Sequence, residues 1–304
     1  MIVLNSLFPI FVLLLLGQML KVKGLTNDDF LRTADRLIYF LCFPVMLFWK
    51  IGGASFDGGI DWLFVVAGVA PFLTMFLLST LVIYVCKVSP FQAGSFSQSC
   101  YRFNTYIGVA VVLNSLGTEG IKYFGLLIGF VIPLVNLFAV AVLIWFSDGK
   151  LKSKQRFFII AKAILSNPLI LGCVAGVLYS QAIGHFPVFI DNSLALVSMV
   201  ALPLALISIG GSLTFKGVRE NLKLSLLGAA LKLLIFPMIG YLFFYLFGVT
   251  GIPLKVGLIF FALPTSTAIY VLSSQLQSDT ELASSAIVLS TLLSFLSLSA
   301  VLLI

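Results

Sequence analysis

Long apolar stretches separated by short polar connections run through the whole chain. About 20 apolar residues in a helix cross a bilayer, and ten such segments can be placed along the 304 residues. The predicted spans are 2–20, 33–51, 60–86, 92–116, 120–147, 157–180, 189–213, 223–248, 253–276 and 281–304. This pattern predicts an all-α integral membrane protein with ten transmembrane helices.

Polar strings interrupt the fourth and ninth spans. Residues 102–108 read RFNTYIG and residues 263–269 read LPTSTAI. Backbone that leaves the helix at bilayer depth is tolerated only where it is buried in protein or lines a cavity, because lipid offers no hydrogen bonds. We therefore expect spans four and nine to be discontinuous and to cross each other. Paired interruptions in two halves of a chain are typical of the binding sites of secondary transporters.

The second half of the chain resembles the first. At a shift of 159 residues Pro9 aligns with Pro168, and at a shift of 162 residues Thr105 aligns with Thr267. Further aligned pairs are Gly17 with Gly176, Pro44 with Pro203, Gly52 with Gly211 and Glu119 with Glu281. Five spans per copy force the second copy to insert upside down. The sequence thus predicts a 5+5 inverted repeat: residues 1–147 form the first copy, 148–156 a cytoplasmic loop and 157–304 the second copy.

The net charge of +7 lies mainly in alternate connections between the predicted spans. The basic clusters are Lys21, Lys23, Arg32 and Arg36; Lys150, Lys152, Lys154 and Arg156; and Lys216, Arg219 and Lys223. Cytoplasmic loops carry such an excess of Lys and Arg. We therefore expect the lipid bilayer as the partner of this chain and no nucleic acid, with both termini outside the cytoplasm.

The residues at the interruptions suit an anion. A half-helix that begins after a break has unpaired N–H groups and a partial positive charge, and Asn, Ser and Thr cap such an end. Two such ends meeting near the midplane would attract a carboxylate or phosphate. A proline at the second break helps to end the preceding half-helix. The expected substrate-binding residues are Arg102, Asn104, Thr105, Pro264, Thr265, Ser266 and Thr267.

Arg102 and Lys232 are cations inside predicted spans. Burying such a charge costs roughly 2.5–3.5 kcal/mol on insertion scales, so it normally faces a partner or water. The partner of Arg102 is either an anionic substrate held in a bidentate fork or, alternatively, helix-end carbonyls or the membrane interface. Lys232 leaves the same two alternatives open.

The residue types within the spans argue against proton relay, catalysis and cofactor binding. Acidic residues lie in connections or near span ends, so we expect no proton relay through a buried carboxylate. One His and no buried acid supply no catalytic constellation, which argues against an enzyme, and we expect no metal or other cofactor. Sodium is the one coupling ion left open, with Asn136, Asn114 and Gln275 as candidate cation ligands.

RFNTYIG and ALPTSTAI resemble the fourth-span signature and the ninth-span crossover of the auxin efflux carrier family. Ten spans in two halves with external termini match that family along the whole chain. The short central loop makes the chain similar to the bacterial members, some of which are organic-acid permeases of the inner membrane. Phe103 stands where the usual signature has proline. The family lies within a superfamily of bile-acid symporters and sodium/proton antiporters.

The resemblance implies an architecture and a mechanism. Spans 1, 2, 6 and 7 would form a scaffold, and spans 3–5 and 8–10 a mobile transport core that moves as an elevator. Asn104 and Pro264 would be the family's crossover asparagine and ninth-span proline, and a homodimer is expected.

The expected function is secondary transport of a small organic anion, a carboxylate or dicarboxylate. An anion leaving a negative interior gains about 2.3 kcal/mol per charge per 100 mV. This supports a gradient of roughly fortyfold without a coupling ion, which favours efflux. A sodium-coupled symporter of the bile-acid type and a non-transporting membrane receptor are the alternatives.

Overall fold

A computed structural model of the chain describes residues 2–54, 61–146, 166–215, 217–275 and 277–304. The described residues form helices and contain no β-strand, which confirms the all-α prediction. The α-helices are α1 (Ile2–Val22), α2 (Asp28–Leu37), α3 (Phe43–Gly52), α4 (Trp62–Val85), α5 (Pro90–Tyr101), α6 (Thr105–Phe146), α7 (Pro168–Ala182), α8 (Val188–Ser212), α9 (Leu222–Ala230), α10 (Phe236–Leu246), α11 (Gly251–Ala262), α12 (Ala268–Gln275) and α13 (Thr280–Leu302). The predicted loop 148–156 and the start of the sixth predicted span, 157–165, lie outside the described residues.

Short polar side chains fix where several helices begin. The Oδ1 atoms of Asn27, Asp61 and Asp279 accept hydrogen bonds from backbone N–H groups three residues later, at 2.8, 3.0 and 2.9 Å. Such N-caps satisfy backbone donors that have no partner within the helix. The polar connections thus determine where α2, α4 and α13 start.

Six helical stretches of the described chain are long and apolar enough to cross a bilayer. They are Val3–Val22, Trp62–Val85, Pro90–Leu143, Val188–Ser212, Leu222–Leu246 and Thr280–Leu302. Two apolar helices, Pro168–Ala182 and Gly251–Ala262, are shorter. This composition and these lengths fit an integral membrane protein, while the ten-span count and the inverted repeat stay predictions.

The described part contains two π-helical turns, Ile38–Cys42 between α2 and α3 and Leu231–Ile235 between α9 and α10. Each ends two residues before a proline, Pro44 or Pro237. Proline has no N–H to give to the preceding turn, and a π turn is one way in which a helix absorbs such a defect. The second turn carries Lys232.

Two pairs of helices make unusually close contact. A Cβ atom placed on Gly210 of α8 would lie 1.9 Å from the backbone oxygen of Leu14 in α1. A Cβ atom on Gly172 of α7 would lie 2.6 Å from the backbone oxygen of Pro44 in α3. Small residues let helix backbones approach in this way in membrane proteins. The pairs α1–α8 and α3–α7 are therefore joined backbone to backbone.

Helices on either side of the two polar strings pack on each other. Helix α11 contacts α6, while α5 contacts both α12 and α13. At one end of this group the backbone N–H of Asp279 donates to the carbonyl oxygen of Phe91 at 3.0 Å. Each segment before a break therefore lies against the segment that follows the other break.

Candidate site at two helix breaks

The first break separates α5 from α6. Helix α5 ends at Tyr101, and Arg102 adopts an extended conformation with φ −67° and ψ 147°. Asn104 then caps α6, because its Oδ1 accepts hydrogen bonds from the backbone N–H groups of Tyr106 at 3.1 Å and Ile107 at 3.2 Å. The predicted interruption of the fourth span is therefore present, and its asparagine is the N-cap of the second half-helix.

The second break separates α11 from α12. Helix α11 ends at Ala262, and the chain is not helical again until Ala268. The Oγ of Ser266 accepts a hydrogen bond from the backbone N–H of Ala268 at 3.2 Å and so caps α12. Pro264 lies inside this break, where its missing N–H costs no helical hydrogen bond.

The two breaks touch each other. The backbone N–H of Asn104 donates to the carbonyl oxygen of Pro264 at 2.9 Å. The Oγ1 of Thr265 donates to the carbonyl oxygen of Ser99 at 2.8 Å, and its backbone N–H donates to Ser290 Oγ at 3.1 Å. The interrupted segments and α13 thus satisfy backbone groups at the breaks, where lipid would offer no hydrogen bonds.

The predicted residues at the breaks differ in accessibility. Asn104 and Thr265 are buried, whereas Thr105, Ser266 and Thr267 are half-buried. The Nδ2 group of Asn104 is buried and has no hydrogen-bond partner in the described part of the chain. A buried donor of this kind normally has an acceptor. Asn104 therefore offers a free amide donor beside the N-terminus of α6.

Arg102 lies beside this donor in sequence and is 9% exposed. Its Nη1 donates to Gln98 Oε1 at 2.8 Å, and its Nη2 donates to Asn136 Oδ1. Within the described residues no carboxylate pairs with it. The guanidinium is held by two neutral amides, so its positive charge is not neutralised by an ion pair there.

Comparison with known proteins shows which family this chain resembles. A family model described as membrane transport protein matches residues 147–302. The chain belongs to the auxin efflux carrier family. An uncharacterized transporter of Methanothermobacter thermautotrophicus is 25% identical, over 97% of this chain and 95% of its own length. An uncharacterized transporter of Methanocaldococcus jannaschii is 22% identical, over 97% and 96%. This auxin efflux carrier family member is thus a multi-pass membrane transporter and not an enzyme.

Two of the three candidate cation ligands of this carrier, Asn136 and Asn114, contact different groups. Asn136 accepts from Arg102, whereas the Nδ2 of Asn114 is 3.5 Å from the backbone oxygen of Ser6 in α1. These two asparagines lie on either side of Gly117, where α6 leaves the helical conformation with φ 65° and ψ −154°. The side chain of Gln275 lies outside the described part of the structure.

Phe103 shows that the carrier does not need the usual proline for its first break. The ring of Phe103 lies 4.2 Å from that of Phe260 and 5.9 Å from that of Phe72, between centroids. Arg102 already has the extended conformation that precedes a proline. Packing of the aromatic ring into this cluster thus accompanies the extended backbone that proline would favour.

Several residues of the site were not predicted from the sequence. Gln98 holds Arg102, and Ser99 and Ser290 bond to Thr265. Ser and Gln in an apolar span give a weak signal, because Ser commonly bonds the carbonyl of its own helix. Serine spacing alone could not have singled out Ser290, and Ser99 contributes its backbone carbonyl, which no side-chain pattern predicts.

Proposed function

We propose that this carrier is a secondary transporter that moves a small organic anion, a carboxylate or dicarboxylate, by an elevator-type alternating-access mechanism. The observation that carries the proposal is the contact between the two breaks, at which the N-termini of α6 and α12 begin. Helix N-termini attract anions through their free N–H groups and partial positive charge. A site of this kind between discontinuous helices is typical of secondary transporters.

The side chains around the breaks divide into two roles in this proposal. The Asn104 amide, which has an unpaired buried donor, and the half-buried Thr105, Ser266 and Thr267 contact the anion. Arg102 supplies positive charge and, through its fixed guanidinium, favours carboxylates over neutral analogues. Pro264 and Thr265 hold the two breaks together through their hydrogen bonds.

The architecture in this proposal is a ten-span 5+5 inverted repeat. Support comes from reciprocal packing: α1 lies against α8, the helix of the seventh predicted span, while α3 of the second span lies against α7 of the sixth. An inverted repeat requires such an exchange of partners. Helix α6, at 42 residues, would be about 63 Å long at 1.5 Å per residue. That is about twice the hydrocarbon thickness of a bilayer, so the bend at Gly117 separates two spans.

The closely packed pairs α1–α8 and α3–α7 form the scaffold in this proposal. The helices around the breaks form the transport core and move as one body relative to it. The carrier lies in the inner membrane with both termini outside and assembles as a homodimer. Net transport is efflux, driven by the membrane potential acting on the anion.

A flux assay tests this proposal. Proteoliposomes are loaded with one of a panel of radiolabelled carboxylates with one or two acid groups, and a valinomycin potassium gradient makes the interior negative. We expect at least one carboxylate to leave faster under this potential, whereas its neutral amide does not move. No carboxylate flux, or flux that ignores the potential, would contradict the proposal.

A matched pair of variants ties the flux to the breaks. Asn104→Ala removes the unpaired amide, while Asn192→Ala removes an exposed asparagine side chain from α8, away from the breaks. We expect loss of flux only in the first variant, with both proteins eluting as folded particles. Equal flux in the two variants would remove Asn104 from the site.

A further inference from the structure

Lys232 is a fully buried cation that the proposed anion site does not use. It is 0% exposed and lies in the π-helical turn Leu231–Ile235. Its Nζ donates to the carbonyl oxygen of Phe261 at 2.9 Å and lies 4.6 Å from the ring centroid of Phe236. Among the described residues no carboxylate pairs with it. A buried ammonium is costly unless surrounding groups compensate its charge.

The acceptor of this hydrogen bond is at a helix end. Phe261 is the last but one residue of α11, which stops at the second break. The final carbonyls of a helix have no partner within it and carry a partial negative charge. The face of an aromatic ring also attracts a cation. The C-terminus of α11 and the Phe236 ring therefore compensate the ammonium in place of a carboxylate.

Side-chain hydroxyl groups donate hydrogen bonds to other backbone carbonyls near the breaks. Ser297 Oγ donates to the carbonyl oxygen of Ala262 at 3.0 Å, and Thr265 Oγ1 donates to that of Ser99 in the last turn of α5 at 2.8 Å. Side-chain donors thus cover carbonyls at the C-terminal ends of both half-helices that precede the breaks. Carbonyls of this kind coordinate the coupling sodium ion in transporters with discontinuous helices.

We infer that the Lys232 ammonium is a tethered cation that occupies the place of a coupling sodium ion at the C-terminus of α11. This inference deepens the proposed function and rests on it, because it makes the anion carrier independent of sodium. An ammonium and a sodium ion share a single positive charge and an affinity for carbonyl oxygens. The lysine brings both as a covalent part of the chain, so the transport core needs no dissolved cation there.

Sodium binding and thermal unfolding test the inference on the purified carrier. For the unaltered chain we expect no saturable binding of radioactive sodium and equal melting temperatures in sodium chloride and choline chloride at the same ionic strength. Lys232→Ala leaves the α11 carbonyl open and should melt lower in choline chloride. Sodium or methylammonium should then raise its melting temperature by about 2–4 °C, the shift typical of 1 kcal/mol.

Two further variants separate charge from structure. Lys255→Ala removes an exposed lysine of α11, the helix whose carbonyl accepts from Lys232, and should show no recovery by added cations. Lys232→Gln keeps a neutral donor without the charge and should still respond to sodium. If Lys232→Gln matches the unaltered chain in choline chloride, a hydrogen bond suffices and the inference is wrong.

The remaining outcomes also decide the matter. Saturable sodium binding by the unaltered chain would overturn the inference, even if every Lys232 variant failed to fold. A folded Lys232→Ala protein that does not respond to added cations would overturn it as well. None of these measurements requires flux. A result that contradicts the inference therefore leaves the proposed anion transport untouched. Absence of carboxylate flux would instead contradict the proposed anion transport, even if the sodium-binding results were as expected.

Discussion

The two breaks of this carrier interrupt a helix inside the protein, and they do so with different residues. The first, between α5 and α6, is three residues long and contains Arg102, Phe103 and Asn104. The second, between α11 and α12, is five residues long, contains a proline and three hydroxyl side chains, and has no charge of its own. The cation at the second break, Lys232, comes from another helix.

We expect the first break to supply most of the substrate recognition and Thr265 of the second break to stabilise the fold. At the first break a single Asn104 caps the helix and has an amide group left over, and Arg102 keeps a charge without a counter-ion. At the second break the backbone N–H and the hydroxyl of Thr265 are both taken up by serines of other helices. Polar groups with free capacity are available for a ligand, whereas paired ones stabilise the fold. We expect substitutions at the two breaks to fail in different ways.

The largest effect is expected for Asn104→Asp. Aspartate keeps an oxygen that caps α6 but replaces the unpaired donor with a negative charge, which repels a carboxylate. We expect carboxylate affinity to fall by about a hundredfold, equivalent to about 2.8 kcal/mol, while the retained N-cap keeps the protein folded despite the buried charge. Binding is measured by the thermal shift that each carboxylate of the panel causes. Unchanged affinity would place recognition elsewhere.

Arg102→Gln should have the next largest effect. Loss of the guanidinium removes the only cation of the first break, so we expect carboxylate affinity to fall about tenfold, or 1.4 kcal/mol. Binding of the corresponding neutral amides should change little. Arg102→Lys serves as the matched control, because it keeps the charge without the planar fork. Equal losses for acids and amides would show that Arg102 has a structural role.

Thr265→Val should lower stability rather than affinity. Valine has the shape of threonine but leaves the buried carbonyl of Ser99 without its donor, which costs about 1–3 kcal/mol. We expect a melting temperature several degrees lower and an unchanged thermal shift with carboxylates. Thr267→Val, at a half-buried position of the same break, is the control and should spare stability. A stable Thr265→Val protein that no longer binds carboxylates would reverse the assigned roles.

The smallest effect is expected for Ser266→Ala. The serine caps a short helix from a half-buried position, so water can replace part of the lost hydrogen bond. We expect a loss of about 0.5 kcal/mol, at the low end for N-caps, and a threefold or smaller change in carboxylate affinity. A change as large as that of Asn104→Asp would show that both breaks recognise the ligand equally.

Much of this comparison was predictable from the sequence, because polar strings inside apolar helices are easy to see. The breaks after Tyr101 and Ala262 follow from RFNTYIG and LPTSTAI, and the family assignment from the same strings is confirmed. The π-helical turns were not predicted, since a proline alone does not say how a helix absorbs its missing hydrogen bond. The pairing of Arg102 with Asn136 also required the structure, because it joins residues 34 positions apart.

The hydrogen bond from Asn104 to Pro264 belongs to the main chain and not to side chains. Mutation can therefore change the side chains proposed to bind the substrate while the hydrogen bond between the two breaks remains. We therefore expect substrate preference to be able to evolve by single substitutions, without loss of the backbone contact that joins the breaks.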